Sequence, residues 1–508
     1  MTGIVARRQS APHNPNRLAI VLGAILVGAL LSGVLPLLLV AQVDDIGRSD
    51  AWRMTFALMV WAGARLAVAI AAGRPMLFDF FFWLFTYIFM GMAPTVQIRS
   101  GILSRTTPGI DEGLDMSTAL LVWLGVACYE IGRFLASLRS KRRDGGAPPS
   151  RRVTAVSRPR ALILVVIGVL TSAYFVSRVG VGTLFGSRDV AFEARNAAWP
   201  DPAIRAIMYS LAIYPLLVGI GALAQLRRRA TRSHARWYAV LIVTAVALLL
   251  TIVNPVSSAR YSLGTVLFAL AVYAGAVVTP ARVRATLIAA VMGFVFLFPL
   301  ADAFRLNTVN LARDGFFGEY KGNPDYDAFW QVANAFSYSL DGLVEYGRQA
   351  LGVVFFWVPR SFWSDKPVDT GILLANYRGY SFDNLSAPLW AEFLVNGGVV
   401  ALALGFLAVG YLLRVMDENL LPAFPRAGFW AIVGAIFPVY MTILLRGSML
   451  QATGAVAVAT ACLLIVRSPD RDDPAAESGP ARGAASAVRP DTPARAAPRS
   501  PASPVDPG

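Results

Sequence analysis

The feature that most constrains this chain is a succession of long apolar runs, nearly free of charge and separated by polar connections. A run of about 20 apolar residues, rising about 1.5 Å per residue as a helix, crosses the hydrocarbon of a bilayer and satisfies its backbone polar groups internally. Such runs occupy 18–40, 54–72, 77–97, 117–137, 161–177, 204–225, 237–253, 262–279, 284–301, 388–413, 428–445 and 449–466. The expectation is an all-α, polytopic integral membrane protein with about twelve transmembrane helices. Charge agrees: only 15% of the 508 residues are Asp, Glu, Lys or Arg, against about 25% in soluble domains. The first run is too long for a signal-peptide core and lacks a small-residue cleavage site, so it reads as a span.

The formal charge of +15 is sorted by side of the membrane. Arginines gather at 139–160, at 227–236, at Arg282 and Arg284, and at Arg7, Arg8 and Arg17 ahead of the first run. They mark every second connection, which is the positive-inside pattern. It puts both termini in the cytoplasm and the chain in the cytoplasmic (inner) membrane, with membrane lipids rather than nucleic acid as partners. Cys128 and Cys462 fall inside expected spans, and His13 and His234 fall on the cytoplasmic side. Neither a disulfide framework nor a Cys-based metal site is expected, and chemistry on the outer face must proceed without histidine; no cofactor is expected.

The organisation follows. Residues 1–17 form a cytoplasmic N-terminal segment and 18–466 the transmembrane domain, with a basic cytoplasmic linker at 139–160. One large outward loop, 302–388, separates the ninth and tenth spans; it is aromatic enough to pack on the membrane surface. Within it, 350–358 is apolar but too short to cross, and reads as a re-entrant or interfacial helix. The Pro-, Ala-, Arg- and Ser-rich tail, 467–508, reads as disordered and cytoplasmic. No internal repeat is evident, which weighs against inverted-repeat transporters.

Charges on the outward side run against the positive-inside trend, so each needs a reason. Arg260 ends the turn Asn254-Pro255-Val256-Ser257-Ser258-Ala259-Arg260. It is either a snorkelling or capping arginine, or one that grips a phosphate beside hydroxyls and turn amides. Asp302 and Arg305 close the ninth span, where they can pair with each other. Arg446 interrupts the last two spans. Arg360 and Lys366 lie in Val358-Pro359-Arg360-Ser361-Phe362-Trp363-Ser364-Asp365-Lys366-Pro367, read either as a headgroup-level belt or as a pocket for a phosphorylated or sugar substrate. Glu392, one turn inside an apolar span, must face protein or a wet cavity. Asp44-Asp45 lie in the first outward loop, Arg99 in the second reads as a position neutral to replacement by lysine, and Arg65 is a lone cation inside the second span.

Taken in order over 160–466, these features resemble the oligosaccharide repeat-unit polymerases, the Wzy-type family that includes O-antigen polymerases. The resemblance rests on the Ser257-Ser258-Ala259-Arg260 turn, the long late outward loop, Pro359-Arg360 with Lys366-Pro367, and Glu392-Phe393-x-x-Asn396-Gly397-Gly398. It implies a metal-independent glycosyltransferase that joins undecaprenyl-diphosphate-linked oligosaccharide units into a surface polysaccharide (O-antigen, capsule or exopolysaccharide), and leaves room for a flippase and a chain-length regulator as partners. Glu392 and Asp302 are then the candidate catalytic bases, and Arg260, Arg360, Lys366, Arg446 and Arg305 the candidate substrate-binding cations. Relatives that use histidine differ from this chain, which has none on the outward side. Two alternatives remain open. One is a glycosyltransferase or ligase using another polyprenyl-linked donor, suggested by Asp44-Asp45; the other is a lipid-linked oligosaccharide flippase or other transporter, suggested by Arg65.

Overall fold

In the computed structural model, residues 15–144, 155–299, 315–383, 385–426 and 428–468 are described. Eleven helices among them are long and apolar enough to cross a membrane. In chain order these begin with α1 (Leu22–Gln42), α2 (Trp52–Ala72), α3 (Leu77–Ser100), α4 (Leu114–Ser140) and α5 (Arg158–Val179). A short surface helix, α6 (Arg188–Ala198), leads to α7 (Pro202–Arg229), α8 (Arg232–Ile252), the shorter α9 (Arg260–Tyr273) and α10 (Pro280–Leu297). Between α10 and the last spans lie α11 (Ala328–Leu340), α12 (Arg348–Val354) and α13 (Thr370–Arg378). The last spans are α14 (Leu389–Phe424), α15 (Phe429–Arg446) and α16 (Met449–Val466). The chain is thus an all-helical, multi-pass membrane protein. The expected tail lies outside the described residues, as do 1–14 and the centre of the 139–160 linker.

α3 is the centre of the bundle. It is apolar all round, from Phe78 through Phe80, Phe81, Phe82 and Trp83, and every one of these side chains is buried by neighbouring helices rather than left for lipid. α4 and α14 approach through glycine: a Cβ at Gly132 would lie 2.0 Å from the Leu407 carbonyl oxygen, and one at Gly410 2.0 Å from that of Tyr129. Without a hydrophobic force between helices in lipid, such backbone contact supplies the packing energy that joins them.

Two expectations shift. The eighth span, expected at 262–279, is cut short at Tyr273 because Gly275 turns the chain at φ +100°. Arg282 donates to the Gly275 carbonyl and Thr286 to that of Ala276, which fixes the turn. The tenth span, expected to end before Arg414, runs on to Phe424. Its charges are neutralised within the fold: Arg414 pairs with Glu418 at 3.0 Å, and Asp417 is wholly buried. α14 is also broken, with Gly397 extended and Gly398 at φ +63° and ψ −155°, a conformation suited to glycine.

The described part of the 302–388 segment does not simply lie over the bundle. α11 is buried, and Trp330 Nε1 donates to Gln97 Oε1 at 2.6 Å while Gln97 Nε2 donates to the Tyr320 and Tyr326 carbonyls. Arg99, expected to accept lysine without effect, is buried too. It donates to the Val43 carbonyl, pairs with Asp45 at 3.3 Å and stacks on Trp52.

Candidate functional site

Five helix ends meet at one end of the bundle: the starts of α11, α13, α14 and α16 and the end of α15. Helix starts carry unsatisfied N–H groups and partial positive charge, so carboxylates collect there. Glu392 Oε1 accepts the Met449 N–H at 2.8 Å, capping α16 from a neighbouring helix, and Oε2 accepts the Thr370 hydroxyl at 2.9 Å. Asp369 caps its own helix, Oδ1 accepting the Gly371 N–H at 2.8 Å. Its other oxygen, Oδ2, is buried without a hydrogen-bond partner. Burial pushes the Asp369 carboxyl up to about 6.

Asp327 begins α11. Its Oδ2 accepts the Ser386 N–H at 3.1 Å, and Oδ1 faces Arg446 Nη2 at 3.9 Å. Burial raises this carboxyl, and Arg446 offsets part of the rise. Arg446 itself donates to the Asp325 carbonyl at 3.0 Å and carboxylate at 3.2 Å, while its own carbonyl accepts the Ala387 N–H. One turn along α11, Gln331 Nε2 and Asn334 Oδ1 are buried without a hydrogen-bond partner. Orphaned amide groups of that kind are costly in a finished core and suit a site that completes its hydrogen bonding with a polar ligand.

The structure brings two of the expected cations to this region. Arg446 lies in it. Arg260, stacked on Phe298 at 4.8 Å, lies close enough to the same 319–327 stretch to temper the burial-driven rise of the Glu319 carboxyl. Arg360 and Lys366 are employed differently. Arg360 donates to the Lys366 and Pro367 carbonyls at 2.8 and 3.2 Å, and the buried Lys366 ammonium to the Phe356 and Val358 carbonyls at 2.7 and 2.9 Å. Burial, then Arg360, lowers the Lys366 pKa. Asp302 and Arg305 lie outside the described residues. Asp44 and Asp45 are exposed, far along the chain from the carboxylates above.

Asp327, Asp369, Gln331 and Asn334 were missed in the sequence reading. The available signal was helical: Asp327-Ala-Phe-Trp and Asp369-Thr-Gly-Ile each set an aspartate before an apolar run, the usual mark of a helix start.

A second buried polar region occupies the opposite end. Arg65 lies 3.0 Å from Glu130 and 3.8 Å from Asp79, and Arg133 lies 3.0 and 3.6 Å from the same two. Tyr129 and Trp83 donate to Asp79 Oδ1, and Asp417 accepts the Phe78 and Asp79 N–H groups, capping α3. Compared with protein-family models, curated proteins and solved structures, the chain matches none.

Proposed function

We propose that this chain is a metal-independent glycosyltransferase that joins polyprenyl-diphosphate-linked oligosaccharide repeat units at the outer face of the cytoplasmic membrane. The observation that carries the reading is the gathering of Asp327, Asp369 and Arg446 with the amides of Gln331 and Asn334, each of which keeps one atom without a hydrogen-bond partner, at one end of an apolar bundle. Amides and carboxylates of this kind match sugar hydroxyls, and a cation beside them matches a diphosphate.

In this reading the acceptor hydroxyl gives its proton to Asp369 as its oxygen attacks the anomeric carbon of the donor. The bond from that carbon to the diphosphate oxygen breaks, and polyprenyl diphosphate leaves with the electron pair. Asp369 has the property such a base needs, a carboxyl near the operating pH with one oxygen uncommitted to the fold. Glu392, with both oxygens engaged, becomes a positioning residue that holds Thr370 and Met449 around Asp369. Arg446 and Arg260 oppose the charge that develops on the leaving diphosphate.

The test is polymerisation of lipid-linked repeat units by purified protein in liposomes, with product length read on a gel. Polymer from the parent and single units from Asp369→Asn is the expected result. No linkage formed by the parent would remove the reading. The intramembrane charges around Arg65 favour a flippase as the second reading; it predicts transfer of lipid-linked units between leaflets with no new linkage.

A further inference from the structure

The stretch from Gly347 to Phe362 combines exposed apolar side chains with a backbone whose polar groups are largely satisfied from within the protein. Phe362 is 87% exposed, as is Tyr346 just ahead of the stretch, and Val354 and Trp357 are 63% exposed. An aqueous loop has no reason to display such a surface, and solvent would satisfy its backbone. Here the protein does so instead. The Gly347 N–H donates to the Asn396 carbonyl at 2.9 Å, and the Ala350 N–H to Asn396 Oδ1 at 2.8 Å. Leu351, Phe355, Val358 and Phe362 donate to carbonyls within the stretch. The Lys366 ammonium covers the Phe356 and Val358 carbonyls. Internal satisfaction is what irregular backbone requires at membrane depth.

Two contacts fix that depth. Glu392 is level with Met449, the first residue of α16, because the two are hydrogen-bonded. Asn396, which anchors the stretch, lies one turn further into α14, about 6 Å deeper. Independently, the Phe356 ring reaches Gly454, which lies about 7 Å beyond the start of α16. α16 has 18 residues, about 27 Å of helix against about 30 Å of hydrocarbon, so little of it can project into water. Both contacts therefore fall below the hydrocarbon surface.

We infer that Gly347–Phe362 is a re-entrant hairpin whose exposed apolar face lies in the acyl chains of the bilayer, pinned by Asn396 and closed by Lys366. The hairpin then belongs to the membrane domain, and the aqueous part of 302–388 is correspondingly smaller. The inference does not depend on the proposed catalysis.

The test uses nitroxide-labelled full-length protein in liposomes, with Cys128 and Cys462 replaced by alanine. Single labels at Leu351→Cys, Val354→Cys and Trp357→Cys are compared with a lipid-facing reference, Leu404→Cys, and an aqueous one, Glu112→Cys. Collision with oxygen over a water-soluble nickel chelate should match Leu404→Cys at all three hairpin positions, and should shift toward Glu112→Cys when Lys366→Met is added. Values matching Glu112→Cys without Lys366→Met would overturn the inference. Should the cysteine variants fail to fold, the parental protein is photolabelled with a lipid-soluble diazirine. Labelling of the tryptic peptide between Arg348 and Arg360 supports the hairpin, and an unlabelled peptide beside labelled α14 overturns it.

Discussion

The two buried polar regions lie toward opposite ends of α14, and they differ in how completely their groups are matched. Around Asp79 and Asp417, each carboxylate oxygen faces a donor or a guanidinium: Trp83 and Tyr129, Arg65 and Arg133, or the N–H groups that open α3. Around Asp327 and Asp369, two amide atoms and two carboxylate oxygens lack hydrogen-bond partners though they are buried as deeply, whereas the first region's two such atoms, Arg65 Nε and Glu130 Oε1, belong to side chains already joined as an ion pair. Satisfied charges staple helices together, whereas unsatisfied ones represent stability given up, which is the pattern of a site that works on something else. The first region should therefore fail by unfolding, and the second by losing activity while still folded.

The largest contrast is expected at the capping aspartate. Asp417→Ala strips the start of α3 and leaves the Phe78 and Asp79 N–H groups buried without an acceptor. Each buried donor left unsatisfied costs about 1–3 kcal/mol and two are orphaned at once, so the variant should accumulate poorly and melt early in detergent. Native yield and melting temperature would show this region to be a site rather than a staple.

Asp369→Asn should reverse that outcome. Asparagine caps a helix as well as aspartate, so melting should hold, while loss of a general base lowers turnover about 10²–10⁴-fold. Parental turnover at normal yield would return Asp369 to a purely structural role.

The pH dependence is smaller and sharper. Activity should rise with pH through about 6 as Asp369 loses its proton, and Asp369→Asn should lack that limb. Stability moves the other way. The folded carboxyl holds its proton more tightly than its ordinary value of 3.8 would allow, so its contribution is complete below about 4 and is lost as pH rises through about 6. A melting curve that does not fall over that interval would contradict this placement of the charge.

The smallest effect is expected for Arg360→Lys. Its guanidinium serves backbone carbonyls, and a neutral hydrogen bond contributes about 0.5–1.5 kcal/mol. Turnover should stay near parental, and a large loss would bring Arg360 back among the substrate-binding cations.

Much of this was legible in the sequence, for reasons specific to membranes. Apolar run length alone gave the spans, because hydrocarbon leaves the backbone no alternative to a helix. The errors came where tertiary contacts neutralise a signal that reads as an ending: Arg414 and Asp417 looked like a span boundary until Glu418 and the start of α3 took them up. Glu392 was rightly singled out as a carboxylate needing protein around it, and its employer proved to be the start of α16. Asp369 and Asp327 were invisible as parts of one region because that region is assembled from helix ends drawn from distant parts of the chain. Spacing along a sequence carries no trace of that.

The break at Gly397–Gly398 sits on a helix that also acts as a gauge of membrane thickness. From Glu392 to Arg414 the chain covers about 33 Å at helical rise, close to the about 30 Å of hydrocarbon it must cross. One end is bolted to α4 through Gly410 and Gly132, and the other to α16 through Glu392. A thicker bilayer cannot be met by sliding either end. It must be met by straightening the glycine joint, and that joint is next to Asn396, which carries Gly347 and Ala350. Acyl-chain length should thus be felt first at the Gly347–Ala350 stretch that Asn396 holds, so the lipid chosen for reconstitution is itself a variable of any assay.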